Sequence, residues 1–478
     1  MLNVTKSAFG GKIENFRKNK IKITIILIAL FFIFSNKSIL ASNNIFGLHL
    51  TQTSDLDTAK EIINSNGGDW GWATIVIRLD QLDHNMWQDF FDNCRQSHII
   101  PIVRLATISD KENWKVPSLS DIDKLTSFLN SLNWPTLTQH IILFNEINHG
   151  QEWGGEVDIK SYVDISIYAS KKLKEYNQNF FILGSALDLA SPEKPPSFKS
   201  AQNVYQEIFS YNPQYFNYID GIASHSYPNH GFLGTPKDKG QHSILGYSWE
   251  LDFLKKLGVD KNFPIYITET GWPHREGLDG RNNFYTTKTT SQFLIDALSI
   301  WSNDSQIKAV TPFIFNYPQP PFDHFSWLDQ NEKIYPEYQK IIDYKKSKNQ
   351  PEQITQYELY GIHLPFLIFP NHIYSGQISL KNTGQSIWGE SEFCINPTVD
   401  SNIEVTPLCI TKNDYIKPGQ IKIFNFTFKI TKSDSRQIKI SWEKVPQTEI
   451  NLFLEKTTIY SPRFNIINRI KSFLTKFW

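Results

Sequence analysis

The chain has 478 residues, more than one compact core accommodates, so two or three domains are expected. Hydrophobic residues make up 40% and charged residues 20%, a globular balance rather than a disordered one. The formal net charge is zero, which leaves no basic field to draw nucleic acid.

The chain opens with a basic stretch containing Lys12, Arg17, Lys18, Lys20 and Lys22, followed by an apolar run from Ile23 to Phe34. That run is shorter than the roughly 20 residues that span a bilayer comfortably. Small residues around Ser38, Ala41 and Ser42 follow it. Basic flank, short apolar core and small-residue exit read as a secretory signal over residues 1–42, cleaved or kept as an anchor. The protein is therefore expected outside the cytoplasm, secreted or at the cell surface.

From residue 43 to about 345, short apolar runs alternate with segments of helical spacing. The runs are Phe46–Leu50, Ala73–Leu79, Ile99–Leu105, His140–Asn145, Phe180–Gly184, Gly221–His225, Pro264–Glu269 and Ala309–Asn316. Rich in Ile, Val and Phe and without polar alternation, they read as strands buried on both faces. Helical spacing marks Thr58–Asn64, Trp87–Ser97, Ile122–Leu132, Val163–Tyr176 and Thr290–Trp301. Eight strand–helix units predict an α/β fold, a (β/α)8 barrel. An open doubly wound sheet is disfavoured because the first βα turn lacks GxGxxG.

Residues 346–356 are polar and read as a linker. From 357 to 460, alternating segments such as Gln377–Leu380, Ile421–Ile430 and Gln437–Trp442 are bounded by turn residues, which predicts a β-sandwich. Cys394 and Cys409 fall there and can be bridged in an oxidising compartment, whereas Cys94 lies in an expected helix as a buried thiol. In residues 461–478, Ile467, Ile470, Leu474 and Phe477 share one helical face among basic residues. That segment either docks on the protein or lies on a membrane surface, and residues 23–34 are the other candidate for membrane association.

In a (β/α)8 barrel the reactive side chains stand where the strands end. The strand ends deliver His49, Arg78, Arg104, Asn145-Glu146, Ser185, Ser224 to Tyr227, Glu269 to Trp272, and Asn316-Tyr317. Either glutamate alone would be weak evidence, because an acid at a strand end is often a cap or a loop residue. Together, on strands 4 and 7, they match what glycosidic cleavage needs. One carboxylic acid protonates the leaving oxygen, and a second carboxylate stands across the anomeric carbon.

The run Asn145-Glu146 with Asn148 and His149 resembles the strand 4 signature of clan A glycoside hydrolases. Ile265 to Trp272 resembles their strand 7 signature. The resemblance covers about residues 45–344. It implies a retaining glycosidase with Glu146 as acid/base and Glu269 as nucleophile, and it implies that Asn145 holds the sugar 2-hydroxyl. His225 and Tyr227 resemble the strand 6 residues bordering the nucleophile, and Arg78 an Arg at the end of strand 2. Glu269 to Pro273 is similar to family 17, and the strand 4 run to families 5 and 39, although Ile147 stands where those carry Pro. Leu380 to Gly384 with Trp388 resembles immunoglobulin-like domains, and the Asn-Thr-Gly corner suits a turn needing positive φ.

In this reading Glu269 is ionised, with Arg78 and the Tyr227 hydroxyl lowering its pKa. Glu146 must carry a proton near neutral pH, which the neighbouring negative charge favours. Trp272, Tyr317 and Trp327, with Trp153, are candidate platforms for sugar rings or else packing residues; 13 Trp in the chain suit either use. No cysteine sits in a CxxC or Cys/His cluster, and His230, His242 and His274 have no tight ligand spacing, so neither metal nor cofactor is expected. The expected partner is carbohydrate. The rival readings are a catalytically silent barrel binding surface glycan, a transglycosidase using the same residues, and a structural surface protein.

Overall fold

The computed structural model describes residues 43–399, 401–431, 437–443, 450–455 and 458–460. Residues 1–42, read as an export signal, and the basic segment 461–478 lie outside the described residues. Among the described residues no helix is long and apolar enough to cross a membrane.

Eight parallel strands form one sheet in chain order: β1 Gly47–His49, β2 Gly71–Arg78, β3 Ile99–Ala106, β4 Gln139–Ile142, β5 Phe180–Gly184, β6 Gly221–His225, β7 Ile265–Glu269 and β8 Ile307–Val310. The sheet closes on itself through a parallel bridge between Phe46 and Val310, where the Val310 N–H donates to Ile45 O at 2.7 Å. Each strand is followed by a helix: α1 Leu56–Ile63, α2 His84–Gln96, α3 Leu119–Ser131, α4 Ile159–Tyr176, α5 Ala201–Tyr211, α6 Gly246–Leu257, α7 Thr287–Trp301 and the short α8 Gln339–Asp343. This is the expected (β/α)8 barrel.

Several helices begin earlier than apolar spacing indicates, because their first turns are set by caps. Asp83, Ser118, Asp158 and Thr286 each accept a main-chain N–H, and Ser118 with Asp121 forms a capping box. Strand β8 is shorter than expected. Its ladder ends at Val310, two residues before Pro312, which has no N–H to donate. The chain beyond still follows β1: His49 N–H donates to Pro312 O at 3.2 Å and Phe315 N–H to His49 O at 2.9 Å.

The barrel interior is filled by alternate residues of the strands. Trp72, Ile100, Ile102, Ile142, Tyr266 and Ala309 form a buried cluster inside, while Ile75, Ile77, Val103, Ile141 and Ile267 pack outward in the larger core. Strands buried on both faces explain why their sequences read as unbroken apolar runs.

The second domain is all-β. Its strands are β9 Tyr357–His363, β10 Leu367–Ile368, β11 Ile373–Asn382, β12 Phe393–Ile395, β13 Pro397–Val399, β14 Ile403–Val405, β15 Leu408–Ile410, β16 Ile421–Ile430, β17 Gln437–Trp442, β18 Ile450–Glu455 and β19 Thr458–Tyr460. One sheet runs β9–β11–β16–β14 and the other β10–β19–β18–β17–β13. Ile378, Leu380, Phe424, Phe426 and Phe428 of the first share a core with Ile440 and Trp442 of the second. Cys394 and Cys409 face each other across β12 and β15 and form a disulfide, while Cys94 is a buried thiol.

Residues 346–356, read as a linker, are held against the barrel. Asn349 Nδ2 donates to Asn44 O and Trp70 O at 2.6 and 2.7 Å, Leu137 N–H donates to Glu352 O, and Gln353 donates to Pro135 O. The segment is thus strapped across the barrel end from which the strands start. The Asn382-Thr383-Gly384 corner also needs glycine for a different reason. Gly384 is not among the residues with positive φ; a Cβ there would stand 2.3 Å from Ile354 O, so close backbone approach demands glycine. Asn382 organises the corner, donating to Ser386 O and Ile416 O at 2.9 Å and accepting from Gly384 N–H.

Candidate active site

Glu146 and Glu269 meet at the mouth of the barrel. One carboxylate oxygen of each and a ring nitrogen of His225 lie within 4.8 Å of one another. The backbone works to bring them there. After β4, Phe144 and Glu146 have φ of 71° and 27°, left-handed values that cost non-glycine residues about 1–3 kcal/mol each and cluster at functional sites. On β7, the register pairs Ser224 with Ile267 but His225 with Glu269, so Thr268 is bulged and Glu269 turns toward the lumen.

Glu269 is buried among donors. Arg104 Nη1 donates to its Oε1 at 3.1 Å and Tyr227 Oη to its Oε2 at 3.3 Å. His225 Nε2 and His49 Nδ1 stand 3.7 and 3.9 Å from Oε1. Burial pushes the Glu269 carboxyl above its ordinary range, against the pull of His225 and Arg104, with Glu146 adding to the push. The lowering expected from neighbours alone is therefore outweighed by desolvation. His49 is driven down to about 3, by burial first and then by Arg104, so it is a neutral ring near neutral pH.

Glu146 lies between two imidazoles. His225 Nδ1 is 2.7 Å from its Oε1, and His149 Nδ1 is 3.9 Å from its Oε2. Burial lowers the His225 pKa, but the charge of Glu269 and the hydrogen bond to Glu146 outweigh it, and the net direction is up. Burial likewise opposes His149, whose pKa is raised by its 3.0 Å contact with Asp188 and by the charge of Glu146. Arg104 also donates to Asn145 Oδ1 at 2.5 Å, which fixes that amide oxygen and leaves the Asn145 amide N–H to donate to Glu152.

Of the residues singled out in the sequence, Glu146, Glu269, Asn145, His225 and Tyr227 come together here. Arg78 does not. It pairs with Asp80 at 2.6 Å and lies over the Trp114 ring at 5.5 Å. The register explains the exchange: Val76 pairs with Arg104 and Arg78 with Ala106, so Arg78 stands two residues higher in the barrel than the cation that reaches Glu269. The inward series Ile100, Ile102, Arg104 along β3 is the period-two signal that identifies the true partner. Arg104→Leu is expected to lower kcat/KM by about 10²-fold or more, and Arg78→Leu by less than about tenfold. Equal losses from the two would contradict this placement.

The tryptophans are also corrected. Trp327 is buried and stacked on Tyr338 at 4.6 Å, and Trp272 is buried with its indole N–H on Gly234 O at 2.7 Å. Trp153 packs edge-on against Phe144 under the strand 4 turn. None of the three offers a free face. Tyr317 is half-buried, edge-on to Phe322. The aromatic wall of the mouth comes instead from phenylalanines: Phe313 sits edge-on to His49 at 5.4 Å, Phe232 and Phe325 pack around Tyr227, and Phe322 is 41% exposed. On the side of β1 and β2 a groove of about 700 Å³ is lined by Thr51, Gln52, Val76, Asp80, Asp83 and Trp87, a volume suited to a small ligand.

Two further carboxyls went unnoticed in the sequence. Glu152, half-buried beside Asn145 and Arg104, is pushed up to about 7 by burial, with Arg104 opposing and Glu146 adding to the rise. Glu250 on α6 is fully buried beneath His225, accepting from Tyr205 Oη at 2.6 Å and from Ser224 Oγ. Burial pushes it up to about 7 as well, the two hydroxyls opposing. A buried acid with a raised pKa binds its proton more tightly folded than unfolded, so its stabilising effect is present at low pH. It is lost as pH rises from about 4.5 through about 7, on the order of 3 kcal/mol in all. Glu250→Gln should remove its share of that slope, leaving the share from Glu152. Denaturant unfolding of both forms at pH 5 and pH 8 tests it, and a slope undiminished in the variant would exclude Glu250 as a source.

No family model and no curated protein matches the chain. Among solved structures it is similar to a family 39 glycoside hydrolase from Bacteroides cellulosilyticus WH2, with 11% identity, 82% of each chain covered and a TM-score of 0.45. It is similar to a glucosidase from Croceicoccus marinus at 9% identity, covering 82% of this chain and 97% of that one, with a TM-score of 0.47. A GH53 catalytic domain from Ignisphaera aggregans matches at 13% identity over 65% of this chain and 98% of that one, with a TM-score of 0.43.

Proposed function

We propose that this protein is a retaining glycoside hydrolase that cleaves O-glycosidic bonds by double displacement. The observation that carries the reading is the pair Glu146 and Glu269, just after β4 and at the end of β7 of one barrel, with carboxylate oxygens inside 4.8 Å of each other. Retaining enzymes hold their carboxyls about 5–5.5 Å apart, whereas inverting ones need about 6.5–9.5 Å to admit a water between them.

The roles follow from the surroundings. Glu269 attacks the anomeric carbon, and Arg104, His225 and Tyr227 are placed to hold it ionised. Glu146, at the rim and hydrogen-bonded to His225, gives its proton to the departing oxygen. Forming the glycosyl ester removes the negative charge at Glu269, and Glu146 then draws the proton from water as that water releases the sugar. Asn145, held by Arg104 beside Glu146, is placed to hydrogen-bond a ring hydroxyl. The Cys394–Cys409 bond supports placing the protein in an oxidising compartment outside the cytoplasm, and the second domain is read as an accessory immunoglobulin-like module.

The test is a screen of the chain from residue 43 onward against polysaccharides and aryl glycosides, with the anomeric form of the first product followed by NMR. Release of the sugar with its original configuration is expected. An inverted product would remove Glu269 as nucleophile, and glycan binding without any cleavage would turn the barrel into a lectin.

A further inference from the structure

The loops after β7 and β8 meet at a second cluster built from Asp279, Asp323 and His324. One carboxylate oxygen from each aspartate and a ring nitrogen of His324 lie within 4.8 Å of one another. Carboxylates and imidazoles often gather on surfaces, so proximity alone decides nothing. Two further details do.

The first is the tautomer of His324. Its Nδ1 is 2.7 Å from the main-chain oxygen of His274. A carbonyl only accepts, so Nδ1 carries the hydrogen, and in a neutral ring Nε2 then presents a lone pair. Nε2 points at Asp279 Oδ1, 2.9 Å away, and a carboxylate has no hydrogen to give. Two lone pairs do not face each other at that distance unless a proton on Nε2 or a metal cation lies between them. A ring N–H held by a carbonyl, with the other nitrogen free, is also how metal-binding histidines are oriented.

The second detail is Asp323. It is 2% exposed, and its Oδ2 accepts the Leu278 N–H at 2.6 Å, but Oδ1 has no hydrogen-bond partner among the described residues. An unpaired buried carboxylate oxygen is costly. A proton on His324 would answer the contact with Asp279 and leave Asp323 Oδ1 unanswered; a divalent ion answers both. The backbone is drawn tightly over the cluster: a Cβ at Gly277 would stand 2.6 Å from the His324 ring and 2.7 Å from Asp323 Oδ2.

We propose that Asp279, Asp323 and His324 bind one divalent cation, zinc by the chemistry of its donors. One imidazole nitrogen with two carboxylates suits zinc, while calcium asks for six to eight oxygens. Asp279, 47% exposed, opens the site to water for the remaining position. His274, the histidine the sequence singled out, contributes its main-chain oxygen to the orientation of His324 instead of a ligand nitrogen. The ion pins the β7 loop to the β8 loop beside Phe325, which packs against Tyr227 at 6.1 Å and Phe313 at 5.8 Å. Its role is to stiffen one wall of the mouth, and it holds whether or not the barrel is a glycosidase.

The experiment strips the full chain with chelator and titrates it with zinc and, separately, with calcium by calorimetry, following the melting temperature alongside. Uptake of one zinc per chain with a rise in melting temperature is expected. Asp279→Asn, at a half-exposed position that does not threaten folding, and Asp323→Asn should each weaken zinc binding by about tenfold or more. Cobalt in place of zinc should give a visible absorption band that both variants lose. No zinc uptake by stripped protein with native circular dichroism, uptake unchanged in both variants, or a preference for calcium over zinc would each overturn the assignment.

Discussion

Glu269→Ala is expected to reduce turnover of any accepted glycoside by about 10⁴-fold or more while leaving the circular dichroism native. In the proposed mechanism the carboxylate forms the bond to the anomeric carbon, and none of its hydrogen-bonding neighbours can take over that role. Arg104, His225 and His49 carry no free carboxylate, and Tyr227 reaches the same oxygen pair only as a donor. The alanine leaves a hollow lined by that guanidinium and those rings, suited to a small anion. Added azide or formate should occupy it and restore part of the rate, attacking from the vacated face and giving a product of opposite configuration. A loss smaller than about tenfold, or rescue with retained configuration, would remove Glu269 from the role of nucleophile.

The second large effect is a divided one. In Glu146→Gln the amide keeps the contact with His225 but has no proton to transfer. Substrates whose leaving group is a sugar or an alcohol should slow by about 10²–10⁴-fold. Glycosides of acidic phenols, which depart without protonation, should form the glycosyl ester at nearly the parent rate and then stall, because the base for the second step is also gone. A burst of phenol followed by a slow steady state is the expected trace. Equal slowing for both leaving groups would mean that Glu146 positions substrate and does not transfer a proton.

The parts legible in sequence were those that depend on repetition or on a short local signature. Strands buried on both faces leave unbroken apolar runs, and β5 and β6 lie where those runs place them. The Asn145-Glu146 and Glu269 motifs identify their strand ends because few other chemistries place acids at both. What could not be read depended on vertical position and on burial. Arg78 and Arg104 both close a strand, and only the pairing of Arg78 with Ala106 shows that the former rides too high to touch Glu269. Trp272 and Trp327 follow strand ends, as sugar platforms often do, but each is consumed by packing against its own loop. Asp279, Asp323 and His324 come from two loops more than forty residues apart, a spacing that no ligand motif would flag.

The second domain contacts the barrel at the end where the strands begin. Gly384 O accepts from Asn133, Gln385 donates to Thr136 O at 2.8 Å, Lys417 reaches Gln96, and Glu390 stands 3.4 Å from His98, whose ring is stacked on Trp70. The mouth with Glu146 and Glu269 is at the other end of the same axis. The all-β domain therefore behaves as a pedestal. A polymer threaded through the mouth cannot also lie on it without doubling back along the barrel wall, and anything that grips the pedestal leaves the mouth pointing outward, toward whatever arrives from solution.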